Sequence, residues 1–175
     1  MPRKLIGLPW IVLAALALGG CGYSIRAPYS KDVKTVYVPV FRSITFRRDV
    51  NLQLTELVIK EIERRTPFKV VGTADEADTI LDGTVNFADK NIVVENPFNF
   101  PRQLTAQINA SVNWTHNPPT KEELDRGFAT IAETVNFVPE IGESSMTAFY
   151  RTNQALAKQI VDMMEKPWFN ETDLQ

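Results

Sequence analysis

Between residues 103 and 115 the chain reads QLTAQINASVNWT. The even positions, Leu104, Ala106, Ile108, Ala110, Val112 and Trp114, are apolar, and every odd position is polar. Unbroken alternation of this length predicts a long strand with one buried and one solvated face. A strand of that kind needs a covering layer on one side only. The stretch NPPTKEELDRG follows as a loop with room for a helical turn. FATIAETVNFV, residues 128–138, then predicts a second strand that pairs antiparallel with the first.

The remaining elements supply the covering layer and the rest of the sheet. In ILDGTVNF, residues 80–87, Leu81, Val85 and Phe87 fall on one face, and Gly83 in that row marks a close approach by a helix. NIVVEN extends or re-enters the sheet. FKVV, residues 68–71, is a short strand, and KTVYVPVF, residues 34–41, is another, open on one side or ended at Pro39. Asp49 caps a helix that runs to Arg65, with Leu54, Leu57, Val58 and Ile62 on one face, and Thr66-Pro67 stops it. A last helix runs from about Ser144 to Lys166. Phe149, Leu156, Ile160, Met163 and Met164 form its apolar side, and Trp168-Phe169 beyond it packs back on the core. Strands in series with helices gathered on one side give an α+β fold. The expectation is a two-layer α/β sandwich: two helices on a mixed, mostly antiparallel sheet of about four to five strands.

The N-terminus has a different character. Arg3 and Lys4 precede LIGLPWIVLAALAL, residues 5–18, which carries no charge. As a helix it would reach about 21 Å, short of the roughly 30 Å bilayer core. A secretory signal peptide fits instead. Leu18-Gly19-Gly20-Cys21 resembles the lipobox of bacterial lipoproteins, which implies cleavage between Gly20 and Cys21 and lipid attached to Cys21. Cys21 is the only cysteine in the chain, so an internal disulfide is excluded. One acyl chain holds a protein marginally and two hold it stably; the three that such a cysteine carries would be permanent. By the same resemblance, Gly22 after the cysteine favours sorting to the outer membrane. The chain then divides into a signal peptide (1–20), a lipidated tether (21–33), one sandwich domain (34–169) and a short tail (170–175).

Loss of Arg3 and Lys4 leaves 17 basic against 21 acidic residues, a net charge of −4. That balance argues against nucleic acid as a partner. Between Gly22 and Arg48 six Lys or Arg stand against one Asp, whereas from Glu122 to Glu143 six acidic residues stand against Arg126 alone. The basic end is the one nearest the membrane.

Catalytic residues are sparse. His116 is the only histidine; it reads as a strand-end residue, without the base and orienting group that nucleophilic catalysis requires. Asp75, Glu76 and Asp78 form a solvated turn rather than a metal site. Glu122 and Glu123 read as a solvated helix start. No catalytic residue, metal or cofactor is expected. Two segments stand out as binding candidates. FRSITFRRDV, residues 41–50, interleaves Arg42, Arg47 and Arg48 with Phe41 and Phe46; guanidinium forks grip phosphate or carboxylate, and the rings beside them would meet acyl or sugar surface. The plainer alternative is a basic loop whose rings drop into the core. NPFNFPRQ, residues 96–103, places Phe98 and Phe100 in a proline-bracketed loop, either as a partner surface or folded back over the sheet.

CGY followed by a proline, TVYVPVFRSITFRRDVNLQLTELVIKEIERRTPFKVV, ADTILDGTV and VPEIGESSMTAFYRTNQALAKQIVDMMEKPW together resemble the lipopolysaccharide-assembly lipoprotein family, LptE-like. The variant is similar to those of planctomycete-type genomes. The resemblance implies a two-layer sandwich and a non-enzymatic protein at the outer membrane, lipid-anchored and facing the periplasm. It implies as partners an outer-membrane β-barrel of the lipopolysaccharide transport machinery, which the lipoprotein plugs, and lipopolysaccharide or a similar glycolipid. Arg42, Arg47 and Arg48 are candidates for the glycolipid contact from charge and position alone. The alternative is a lipoprotein that binds or carries a glycolipid or envelope component without a barrel.

Overall fold

The computed structural model describes residues 29, 32–47, 49–95, 97 and 101–165. In chain order these form β1 (Thr35–Tyr37), β2 (Arg42–Ser43), α1 (Asp49–Arg65), β3 (Lys69–Val71), β4 (Thr79–Glu95), β5 (Pro101–His116), α2 (Lys121–Arg126), β6 (Ala129–Phe137) and α3 (Ser145–Glu165). The sheet order is β3-β1-β4-β5-β6, and β2 pairs with β4 beyond the end of β1. β1 is parallel to β3 and β4, β2 is parallel to β4, and β4-β5-β6 is an antiparallel meander. This is the two-layer α+β sandwich with a mixed sheet, built from six strands because the short β2 is added.

β5 carries the alternation read from its sequence. Its even positions from Leu104 to Trp114 are all buried and its odd positions all look outward. α1 and α3 lie side by side over the buried face, α3 across β5 and β6 and α1 toward β3 and β4. Val50, Leu54, Val58 and Ile62 repeat every four residues down α1 and are buried, with Leu57 beside them half-buried. From α3, Phe149, Leu156, Ile160 and Met164 enter the same core, and Met163 is half-buried against it. Each such side chain contributes about 1.5–3 kcal/mol by leaving water. Asp49 stands inside the first turn of α1 rather than before it. At the other end, the Thr66 hydroxyl donates to the Ile62 carbonyl at 2.7 Å, closing the helix ahead of Pro67. α3 is capped by Ser144, whose Oγ accepts from the Thr147 N–H at 3.1 Å.

Other sequence expectations change as well. The strand expected over 34–41 stops at Tyr37 and resumes at Arg42 as β2. Pro39 has no N–H to give a ladder, so the chain leaves the sheet there and drops Val38 and Phe41 into the core. Gly83 does meet a close neighbour, but it is Phe41 and not a helix: a Cβ on Gly83 would stand 3.1 Å from three carbons of that ring. Phe87 was expected beside Leu81 and Val85, yet it lies on the exposed side and Ala88 takes the buried place. The reason is a register slip at Asn86. Val85 faces Ala110 and Phe87 faces Asn109, leaving Asn86 as an extra residue that inverts the alternation. NIVVEN continues β4, which stays paired with β5 as far as Glu95.

Candidate functional site

Where β2 ends, the chain turns away from β4 and leaves its edge open. Ile44 makes the last bond, its N–H donating to the Val85 carbonyl at 3.1 Å. The departing loop and β4 then enclose an open groove of about 500 Å³, lined on one side by Ile44, Thr45, Phe46 and Arg47 and on the other by Asn86 to Asp89.

Hydroxyls hold the loop in shape. The Thr45 N–H donates to Ser43 Oγ at 3.2 Å, the two hydroxyls lie 3.0 Å apart, and the Arg47 N–H donates to Thr45 Oγ1 at 3.3 Å. Below the loop, the Phe41 N–H donates to Thr55 Oγ1 at 3.0 Å, and Asn51 Nδ2 donates to the Phe41 carbonyl at 2.6 Å. The base is therefore tied to α1 while the tip projects. Phe46 is fully exposed, Ile44 is 73% exposed, and Phe87 on the facing strand is also exposed.

The two candidate arginines that lie among the described residues differ. Arg42 points outward from β2 and pairs through one guanidinium nitrogen with Asp82 of β4 at 2.9 Å. Arg47 lies with its guanidinium carbon 4.2 Å from the centre of the Phe149 ring, on α3. Stacking on a ring leaves the N–H edges of the fork available. Phe41 drops into the core, as the plainer alternative has it, while Phe46 does not. The site thus brings Arg47 and Phe46 together beside the groove and sets Arg42 apart on the outer sheet face. Gly20, Cys21, Arg48, Phe98 and Phe100, along with Trp168 and Phe169, lie outside the described residues.

Elsewhere the titratable groups support structure. His116 ends β5, and its Nδ1 lies 2.6 Å from Glu123 Oε1. Glu123, expected in solvent, is buried because it completes the capping box of α2: its Oε2 accepts from the Thr120 N–H at 2.9 Å, while the Glu123 N–H donates to Thr120 Oγ1. Burial pushes its carboxyl up, but the bonds from Thr120 and from the His116 ring and N–H outweigh that and hold it below the ordinary value. Asp78 of the acidic turn accepts from the N–H groups of Lys34 and Thr35, both at 2.9 Å, and these bonds lower its pKa. Among the described residues no three His, Cys, Asp or Glu are grouped so as to hold a metal ion. No helix among them is long and apolar enough to cross a membrane.

Known proteins place this architecture. A hypothetical protein of Chlamydia trachomatis shares the fold at 7% identity, with 76% of this chain and 96% of that one covered and a TM-score of 0.51. Lipoprotein B of Nitrosomonas europaea superposes at 13% identity over 81% and 88% of the two chains, TM-score 0.49. The rare lipoprotein B of Shewanella oneidensis superposes at 12% identity over 75% and 93%, TM-score 0.46. No curated protein matches this chain in sequence. The model of the LptE family, lipopolysaccharide-assembly, matches residues 33–165, from two residues before β1 to the end of α3. The chain belongs to the LptE lipopolysaccharide-assembly family.

Proposed function

We propose that this protein is a non-enzymatic subunit of lipopolysaccharide assembly, anchored in the outer membrane through lipid on Cys21 and facing the periplasm. It works by binding and positioning: it seats in a large outer-membrane β-barrel and meets the glycolipid on its way to the surface. The observation that carries this reading is the pairing at the groove. A guanidinium stacked on Phe149 stands beside a fully exposed phenylalanine, which suits an amphiphile with an anionic head and an apolar body. Arg48 adjoins Arg47 in sequence and belongs to the same proposal, as do Phe98 and Phe100 as a partner surface. Family membership supports the assembly role, and a plug needs polar outer faces in a wet barrel interior, as β5 has.

The test is a tagged pull-down from mild-detergent outer-membrane extracts. A large, heat-modifiable barrel protein in near-stoichiometric amount is the expected result. Recovery of the lipoprotein alone from well-solubilised membranes overturns the barrel partnership and favours a carrier acting by itself. In the same preparation Arg47→Glu is expected to weaken lipopolysaccharide retention by about tenfold, the scale of one charge-assisted hydrogen bond, with barrel recovery unchanged.

A further inference from the structure

Among the described residues the helices cover one face of the sheet and leave the other open, and the chemistry of that open face is unusual. Every odd position of β5 from Gln103 to Thr115 carries Gln, Asn, Ser or Thr. The register extends this across the sheet: Thr84, Ser111 and Thr130 form one rung, and Asn91, Thr105 and Asn136 another. The strip along β5 is about 40 Å long at roughly 3.3 Å per residue. No charged residue stands on it along β5 or on the outward side of β6; along β4 the register adds Asp82 opposite Asn113, paired with Arg42, and Asp89 opposite Gln107. The solvent side of α1, by contrast, carries Glu56, Lys60, Glu63 and Arg64.

Solvation alone does not account for this composition. Asparagine is disfavoured in strands, yet five occupy the open face: Asn86, Asn91, Asn109, Asn113 and Asn136. Threonine or paired charges would keep such a face wet at less cost in strand preference. The amides are also pre-arranged. Asn86, outward like Asp82 and Thr84 before it, donates from Nδ2 to Ser111 Oγ at 2.7 Å and to Asn109 Oδ1 at 3.3 Å, and Ser111 Oγ lies 3.4 Å from Thr130 Oγ1.

We propose that the open face is a saccharide surface that holds the neutral sugar chain of the glycolipid. Amide and hydroxyl side chains both donate and accept, which matches a polyol whose every hydroxyl does the same. The strip along β5 and β6 is uncharged, and the carboxylates of Asp82 and Asp89 that border it on β4 accept from hydroxyls and repel phosphate, so the face suits a neutral chain better than an anionic one. Phe87 stands exposed at the edge of the strip, beside the groove of Arg47, so head and sugar would lie end to end on one continuous surface. This inference rests on the glycolipid reading above and assigns the sugar its own place.

The test uses the full lipidated chain in detergent. The probe is oligosaccharide released from lipopolysaccharide and dephosphorylated, with dextran as the unrelated neutral polysaccharide, and binding is read by saturation-transfer NMR and calorimetry. The expected result is that the wild type binds the oligosaccharide in preference to dextran. The double variant Gln107→Val, Asn113→Val is expected to bind it at least tenfold more weakly with an unchanged or higher Tm, while Lys60→Glu, on the solvent side of α1, binds it as the wild type does. Absence of oligosaccharide binding, equal binding of dextran, or full binding by the double variant overturns the proposal. If intact lipopolysaccharide is still retained through Arg47 and the barrel still co-purifies, only the saccharide surface has failed. A photocrosslinker at Asn113 that traps the barrel wall in cells, and no glycolipid, also overturns it.

Discussion

Gly83 sits under the flat of the Phe41 ring, and neither residue has room to move. Phe41 is wholly buried and tied through its N–H to Thr55 and through its carbonyl to Asn51. Gly83→Ala therefore forces a methyl against ring carbons at 3.1 Å. Overpacking costs about 1–3 kcal/mol, partly offset by the better strand preference of alanine. A net loss of about 1–2 kcal/mol is expected, read as a lower urea midpoint with the slope of the transition unchanged. The glycine was visible in the sequence as a break in an apolar row. What it makes room for was not, because Phe41 lies 42 residues away and reaches it only because Pro39 lifts the chain out of the sheet.

Asp78 joins elements that are distant in sequence. Its carboxylate receives two N–H groups at the start of β1, its own N–H donates to Thr35 Oγ1 at 2.8 Å, and its carbonyl accepts from the Asn117 N–H at 2.8 Å, just beyond β5. The bonds from Lys34 and Thr35 lower its pKa below the ordinary 3.8. A carboxyl whose folded pKa is depressed adds stability that is fully present above the unfolded value and disappears as pH falls through the folded one. Acidification below about pH 4 should therefore lower Tm, with Glu123 and Glu143, both also depressed, adding to the loss. Asp78→Asn is expected to lower Tm at pH 7 and to flatten the decline, measured by thermal melts at neutral and acid pH. At this scale the periodic elements were legible: β5, α1 and α3 announce their buried faces within their own residues. β2 and the shortened β1 did not, since two- and three-residue strands carry no period.

At the scale of the whole molecule, the one-sided sandwich follows a proposed lipid anchor at Cys21. Cys21→Ser is expected to move the chain from the membrane fraction to the soluble fraction, followed by fractionation and blotting; retention in the membrane would show that Cys21 is not the anchor. By itself the sequence determined the fold class, because side-chain direction in a strand or helix is a local property and the apolar rows of β5, α1 and α3 point to helices layered on one face of a sheet; the family was legible separately, in segments that resemble its members. It also determined which segments hold the arginines and rings. Only the tertiary structure decided how they combine. Arg47 meets Phe149, Arg42 is taken by Asp82, Glu123 is drawn inside to hold His116, and the slip at Asn86 turns Phe87 outward toward the groove. Each depends on a contact between distant elements, and the register or packing that makes it is set by the partner strand or helix rather than by neighbours in the chain.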